Sequence, residues 1–313
     1  MMNNKKKYRE FCTIEQDIPI FSKDWWLDCV CGKDNWDVCL IEKGGKIVAS
    51  MPYFLKKKLI FQIITMPRLT QTMGSYIKYP KEQRYYKKLS WEKEIIIELI
   101  KQIPKVDVFI QNFDCSIINW LPFYWQGYKQ TTRYTYKIKD ISVDHLENIC
   151  ETDIRRRKRK ALNLGVKIID AYDIESFYEL NKKTFERKNM KISYDLNFVK
   201  KLYIECEKHN AVKMYCAEYD SKIIAANFLV VDQNSVYYLL GGIDADYKDL
   251  GGMDLIQLES IKFALANKKE FDFEGSMVEN IEKYFRSFGA IQRPYFQVTK
   301  INSKILKIRE FLK

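Results

Sequence analysis

At 313 residues the chain is long enough for two domains, each burying its own core, and 47% hydrophobic with 30% charged residues excludes a disordered chain. No apolar run approaches the roughly 20 residues that span a bilayer, and the charged stretch 1–10 lacks the apolar segment of a secretory signal. A net charge of +12 implies an anionic partner without saying which, and 21 Tyr with 18 Phe suit a sheet-containing fold.

Strand-like and helix-like patterns alternate from the start. A first basic run, Lys5–Lys7, precedes all eight of the scattered cysteines. Cys29-x-Cys31 with Cys39 makes at most a partial metal site, so no metal is expected, and reduced thiols in a cytoplasmic protein are the default. A hairpin pattern surrounds Glu42–Ser50, and a second basic run sits at Lys56–Lys58. The stretch Lys81–Glu94 is charged and free of glycine; a helix at Trp91–Gln102 and a strand at Val106–Gln111 follow. Phe123-x-x-x-Gly127 leads into a strand at Tyr134–Ile138. The join between domains is placed near Asp140–Asp144, giving domains 1–140 and 141–313. The six cations Arg155-Arg156-Arg157-Lys158-Arg159-Lys160 come next, as a solvated helix face or a phosphate-binding surface.

In the second domain Val166–Ala171 reads as a short strand, with helices at Asp173–Arg187 and Leu196–His209. Strands at Val212–Tyr219 and Ile223–Asp232 flank a tight turn. Val236–Ile243 is a third strand. Gly251 and Gly252 then open an amphipathic helix running to about Asn267. A glycine bend feeding a helix N-terminus points backbone N–H groups outward with the helix dipole behind them, which binds phosphate. The bland alternative is a plain strand-to-helix turn. Phe271–Gly275 reads as a strand, Ile281–Phe288 as a helix, Pro294–Lys300 as a closing strand and Ser303–Phe311 as a basic amphipathic helix.

The two halves echo each other. Glu42-x-x-x-Lys46 matches Glu218-x-x-x-Lys222 in hairpin context. The helix before Val106–Gln111 matches the helix before Phe271–Glu274, and Phe123-x-x-x-Gly127 matches Phe285-x-x-x-Gly289, each leading into a strand. Three matches in one order predict a duplicated domain. Only the second copy has a glycine bend before its long helix, so chemistry is expected there.

The spacing Lys248-x-x-Gly251-x-Met253 resembles the pyrophosphate loop of GNAT acyltransferases, with Lys and Met departing from the usual residues. With Met51-Pro52, Met66-Pro67, Gly74-Ser75, Ile154-Arg155-Arg156-x-x-Arg159-Lys160-Ala161, Tyr238-Leu239-Leu240-Gly241-Gly242, Phe271-Asp272-Phe273-x-Gly275-Ser276 and Phe285 through Ala290, the chain resembles the tandem-GNAT superfamily. That superfamily includes the Fem-type aminoacyltransferases and BioF2-like acetyltransferases, and the resemblance covers about Trp25 to Val298. It implies an α/β (α+β) fold of two GNAT-like domains, each a mixed, mostly antiparallel sheet flanked by helices. It also implies acyl transfer onto an amino group.

Under that resemblance Lys248, Gly251 and Gly252 hold donor phosphate, and Gly241 and Gly242 let strand backbone approach the donor carbonyl. Asp272 and Glu274 alternate with Phe271 and Phe273, so both acids are expected on one strand face as candidate bases. Asp272 as a cap or ion-pair partner is the alternative. Tyr237 and Tyr295 are candidate acids for the leaving group or packing residues, and a water chain without a named base also satisfies the sequence. Tyr284, Arg286, Arg155 and Arg156 are candidates for binding an anionic acceptor.

Acyl-CoA, most simply acetyl-CoA, is the leading donor. Charged tRNA is the alternative, weakened because the stretch between Tyr172 and Ala211 lacks the long helical hairpin that many Fem-type enzymes carry. The acceptor implied is a phosphate-bearing sugar or peptide precursor of bacterial envelope polysaccharide or peptidoglycan. Lys56–Lys58 and the terminal helix offer peripheral contact with an anionic membrane. A third possibility is an inactive RNA-binding protein using aromatics around Tyr124-Trp125, Tyr128 and Arg133-Tyr134.

Overall fold

A computed structural model of the chain describes residues 3–170, 173–187 and 189–311. It forms two compact units, residues 1–133 with 294–313, and residues 134–293. The last strand and terminal helix therefore belong with the first unit, where the sequence placed them in the second.

The chain opens with α1 (Asn4–Ile14), α2 (Asp24–Cys31), β1 (Trp36–Lys43), β2 (Lys46–Lys58), β3 (Phe61–Thr65), β4 (Tyr76–Ile77), α3 (Tyr85–Gln102), β5 (Val108–Asn112) and α4 (Leu121–Trp125). Then come β6 (Lys129–Ile138), α5 (Leu146–Ile149), α6 (Thr152–Asn163), β7 (Lys167–Ile169), α7 (Ile174–Arg187), α8 (Leu196–Lys208), β8 (Val212–Tyr219), β9 (Lys222–Val231) and β10 (Ser235–Ile243). The last elements are α9 (Gly252–Ala266), β11 (Glu270–Asp272), α10 (Glu279–Arg286), β12 (Ile291–Ile301) and α11 (Lys304–Phe311).

The first unit's sheet has the order β1-β2-β3-β5-β12, with β4 beside β2. Its pairs are antiparallel except β3–β5. The second unit's sheet runs β6-β11-β10-β9-β8-β7, antiparallel except β10–β11. A parallel pair needs a crossover, and in each unit a long helix supplies it: α3 between β3 and β5, α9 between β10 and β11.

The internal match extends to detail. The β1–β2 register shifts between Ile41 and Glu42, and the β8–β9 register shifts between Ala217 and Glu218. Both bulges sit just before the glutamates that the sequence aligned.

α3 buries one stripe, Ile95, Ile96 and Leu99, against its sheet. α9 is buried nearly all round, with Leu255, Ile256, Leu258, Ile261 and Ala264 in the second core and polar Gln257 and Ser260 also enclosed. Such a helix is held by packing on several sides, which fixes the bend that precedes it.

Two expected elements end early or merge. Lys81–Glu94 and Trp91–Gln102 resolve into the one helix α3. The strand expected over Phe271–Gly275 stops at Asp272, because Glu274 and Gly275 adopt positive φ (59° and 69°) and leave the ladder.

Candidate active site

The second unit places its chemistry where the parallel pair ends. β11 pairs with β10 only from Ser235↔Glu270 to Tyr237↔Asp272, so β10 continues through Tyr238–Ile243 without it. A register shift between Tyr238 and Leu240 in the β9 pairing bends the strand at that point. This is the splay that the GNAT resemblance implies.

The splayed edge is occupied by the protein itself. α7 packs on β10. Asn181 Nδ2 donates to the Gly241 carbonyl (2.6 Å), Thr184 Oγ1 accepts from the Ile243 amide (3.0 Å), and the same hydroxyl donates to the Ile243 carbonyl (3.3 Å). A Cβ on Gly242 would lie 2.6 Å from the Asn181 nitrogen. The Tyr238 phenol folds over Gly241, in the space a Cβ would take, and reaches Met253 Sδ at 3.9 Å. Burial pushes that phenol's pKa up to about 12. Gly241 and Gly242 thus admit a helix and a tyrosine, where the sequence reading expected a donor carbonyl.

The glycine bend is closed as well. Gly251 and Gly252 are buried. A Cβ on Gly251, at φ 80°, would lie 2.6 Å from the Arg157 carbonyl of α6, and one on Gly252 would meet Ile224 and Ala217. Asp254 stands in the first turn of α9, where a bound phosphate's charge would sit, and Arg157 Nε pairs with its Oδ2 at 2.9 Å. Burial holds Asp254 above the usual carboxylate range, with Arg157 opposing. The Tyr284 phenol lies beside this carboxylate without a well-formed hydrogen bond to it. Lys248 is exposed, and the Asp249 carbonyl accepts from Lys160 Nζ of α6 at 2.8 Å. The bend expected to hold diphosphate at Lys248, Gly251 and Gly252 is packed against α6, with the Asp254 carboxylate in the first turn of the helix that follows.

Asp272 and Glu274 come together, but not as alternating residues of a strand. Asp272 Oδ1 accepts from the Glu274 amide (2.8 Å) and from Thr135 Oγ1, and its Oδ2 pairs with Lys137 Nζ (3.2 Å). All of its capacity goes to holding the turn. Glu274 differs. Its Oε1 is shut away from water with no hydrogen-bond partner among the described residues, and burial followed by the Asp272 charge raises its carboxyl well above the ordinary value. Gly275 behind it lies against the Tyr134 carbonyl with no room for a side chain, which fixes the turn that aims Glu274.

Tyr237 is elsewhere, its hydroxyl bonded to Asp232 Oδ2 at 3.1 Å near the start of β10. In the first unit, Gln71 Nε2 and Arg133 Nε each donate to the Tyr295 hydroxyl (3.3 Å). Arg286 is exposed and paired with Glu282 (3.1 Å), Arg156 is exposed and paired with Asp153 (3.2 Å), and Arg155 bonds Thr152 (3.2 Å). These arginines do not converge. The sequence passed over Arg157, Asp254, Asn181 and Thr184, which close the site. It also passed over a hollow of about 220 Å³ in the first unit, lined by Gly74, Ser75, Lys88 and Asp114 among others. Among the described residues no group of three or more metal-ligating side chains is assembled.

Residues 150–285 match the family described as acetyltransferase (GNAT) domain. No curated protein sequence matches the chain. Among solved structures it is similar to FemX (14% identity, 95% of this chain and 96% of that one, TM-score 0.70). It is also similar to L-PGS from Bacillus licheniformis (9%, 99% and 96%, TM-score 0.57). A third likeness is to the C-terminal domain of a putative lysylphosphatidylglycerol synthetase from Agrobacterium fabrum (11%, 98% and 95%, TM-score 0.55). These likenesses concern the fold. Residues 150–285 thus carry a GNAT acetyltransferase domain, each unit has one parallel pair, and the chain as a whole shares the fold of FemX.

Proposed function

We propose that this protein transfers an aminoacyl group from an ester donor, charged tRNA, onto an amino group of a phosphate-bearing envelope precursor. The observation that carries the choice of donor is the Asp254 carboxylate in the first turn of α9, where a diphosphate would meet like charge, together with α7 hydrogen-bonded along the free edge of β10. The basic face of α6 and the net charge of +12 support a polyanionic donor. The likeness to FemX, to L-PGS and to a domain titled as that of a putative lysylphosphatidylglycerol synthetase is compatible with it. The second unit is the one proposed to carry the chemistry, because it holds the GNAT match and the unpartnered Glu274. The first is proposed to lack a donor site.

In this reading the acceptor amine attacks the ester carbonyl, a C–N bond forms and the C–O bond to the ribose breaks. The amine must lose a proton and the departing oxygen must gain one. Glu274, whose carboxyl burial and the Asp272 charge raise well above the ordinary range, gives its proton to the departing oxygen and recovers one from the ammonium of the intermediate. Asp272 is a positioning residue that orients Glu274 through its amide. The test is mass spectrometry of amino-sugar nucleotides and muropeptide precursors incubated with charged tRNA or with acyl-CoAs. Products are expected with charged tRNA alone; acylation by acyl-CoA without tRNA would overturn the choice of donor.

A further inference from the structure

We propose that one end of the first unit docks onto an anionic lipid bilayer, with the β2–β3 turn entering its surface. The register pair Lys58↔Phe61 leaves Leu59 and Ile60 as a two-residue turn. They are 84% and 76% exposed, and Leu59 sits at φ 56°. Turns of this length favour Asn, Asp and Gly, because bulky residues resist positive φ. The same protein follows that rule elsewhere, with Gly44-Gly45 between β1 and β2 and Asp220-Ser221 between β8 and β9. The fold gains nothing from two bare aliphatic side chains here, so their apolar surface faces an external partner.

Lys56, Lys57 and Lys58 flank that turn and are exposed. The same end of the sheet carries the start of α11. Asp107 exchanges hydrogen bonds with Gln62 of β3 (2.9 Å each way), and its carbonyl accepts from the Asn302 amide (2.8 Å), two residues before the helix. Ile305 and Ile308, three apart on one helix face, are 65% and 62% exposed, with Lys304 and Lys307 between and before them. Lys105, also exposed, lies two residues before Asp107. Four bare aliphatics and six lysines thus share one end.

Aliphatics set among lysines suit a lipid interface: the chains enter the acyl boundary while ammonium groups meet anionic headgroups. Nucleic acid is disfavoured because Leu and Ile offer no ring face to stack on bases. A second copy is disfavoured because it would bring lysines against lysines. This surface stands apart from the transfer chemistry and does not depend on which donor is used.

The experiment is co-sedimentation of the full chain with vesicles of phosphatidylcholine, with and without phosphatidylglycerol. Binding is expected only with phosphatidylglycerol, weakening as salt rises. The pair Leu59→Gly and Ile60→Asn installs the sequence preferred by a turn with positive φ at its first position, so the fold is kept while vesicle affinity falls about tenfold or more. Ile305→Ser with Ile308→Ser is expected to lower affinity in the same direction. Acyl transfer to a soluble acceptor should be unchanged in the turn variant, which separates this proposal from the transferase reading. Wild type left in the supernatant, or a turn variant that sediments like wild type, overturns it. So does a turn variant whose effect is instead to split a dimer on size exclusion, or to abolish tRNA binding.

Discussion

Glu274 is held in a left-handed turn beside the Asp272 charge, its Oε1 shut from water with no hydrogen-bond partner among the described residues. Such a group costs stability, and the sign follows from proton binding. An unfolded glutamate ionises near its ordinary value, while the folded carboxyl keeps its proton to higher pH. Over that window the folded state binds more protons, so stability falls as pH rises, by about 1.4 kcal/mol per pH unit until the folded group ionises. Glu274→Gln cannot ionise. It is expected to raise the thermal midpoint at neutral pH and flatten the pH dependence of stability, while lowering turnover by about 10²- to 10⁴-fold. Calorimetry across pH together with a product assay reads both; a variant that loses stability and keeps full turnover removes Glu274 from the chemistry. Arg157→Met leaves Asp254 enclosed without its cation and, since Arg157 is itself partly exposed, should cost about 1–3 kcal/mol in urea titrations. Arg157 was legible in the sequence: Ile154, Arg157 and Ala161 fall at i, i+3 and i+7, and the two apolar ones are buried. Six consecutive cations hid it. Glu274 was legible by residue type alone, since the strand expected to carry it ends two residues earlier.

Glycines are read from a sequence as places of close approach, but what approaches is decided by elements far away in the chain. Gly241-Gly242 and Gly251-Gly252 are such places, and the approaching groups are the α7 backbone, Tyr238, the α6 carbonyl of Arg157 and the β8–β9 side chains. Nothing local in Val236–Ile243 distinguishes a strand edge kept for a ligand from one that α7 covers. The partners lie about 60 residues upstream, at Asn181 and Thr184. The elements themselves were more legible: Val212–Tyr219 is observed as read, and α7, α8 and α9 fall within a residue or two, because each shows a clear period. Gly242→Ala drives a methyl group into the Asn181 backbone and should cost about 1–3 kcal/mol, as overpacking does. Gly44→Ala, at φ 58° with open space around it, should cost about 1 kcal/mol through the backbone alone. Equal losses in denaturant titrations of the two variants would mean that α7 yields, and that the splayed edge can open to a donor.

The two repeats exchange their closing strands. β6 ends the first repeat, yet Lys137 and Ile138 pair with β11 in the second unit; β12 ends the second repeat, yet Gln297–Ile301 pair with β5 in the first. This is why the first unit is made of two separate stretches, and why a boundary drawn near residue 140 gave residues 294–313 to the second unit. Hydrophobic alternation marks β12 as a strand; it carries no record of which edge the strand completes. Removal of those residues is therefore a test of the first unit. A chain ending at Arg293 loses the strand beside β5, with Val298 from the core and Phe296 packed against it. All six tryptophans, Trp25, Trp26, Trp36, Trp91, Trp120 and Trp125, lie in the first unit, so their emission reports on it alone. The truncated chain should show red-shifted tryptophan emission from Trp26, fully buried in the intact fold, while the far-UV signal of α6 to α10 persists. Emission unchanged from that of the full chain would mean that β5 closes its sheet without β12, and that the exchange of strands is incidental to the stability of either unit.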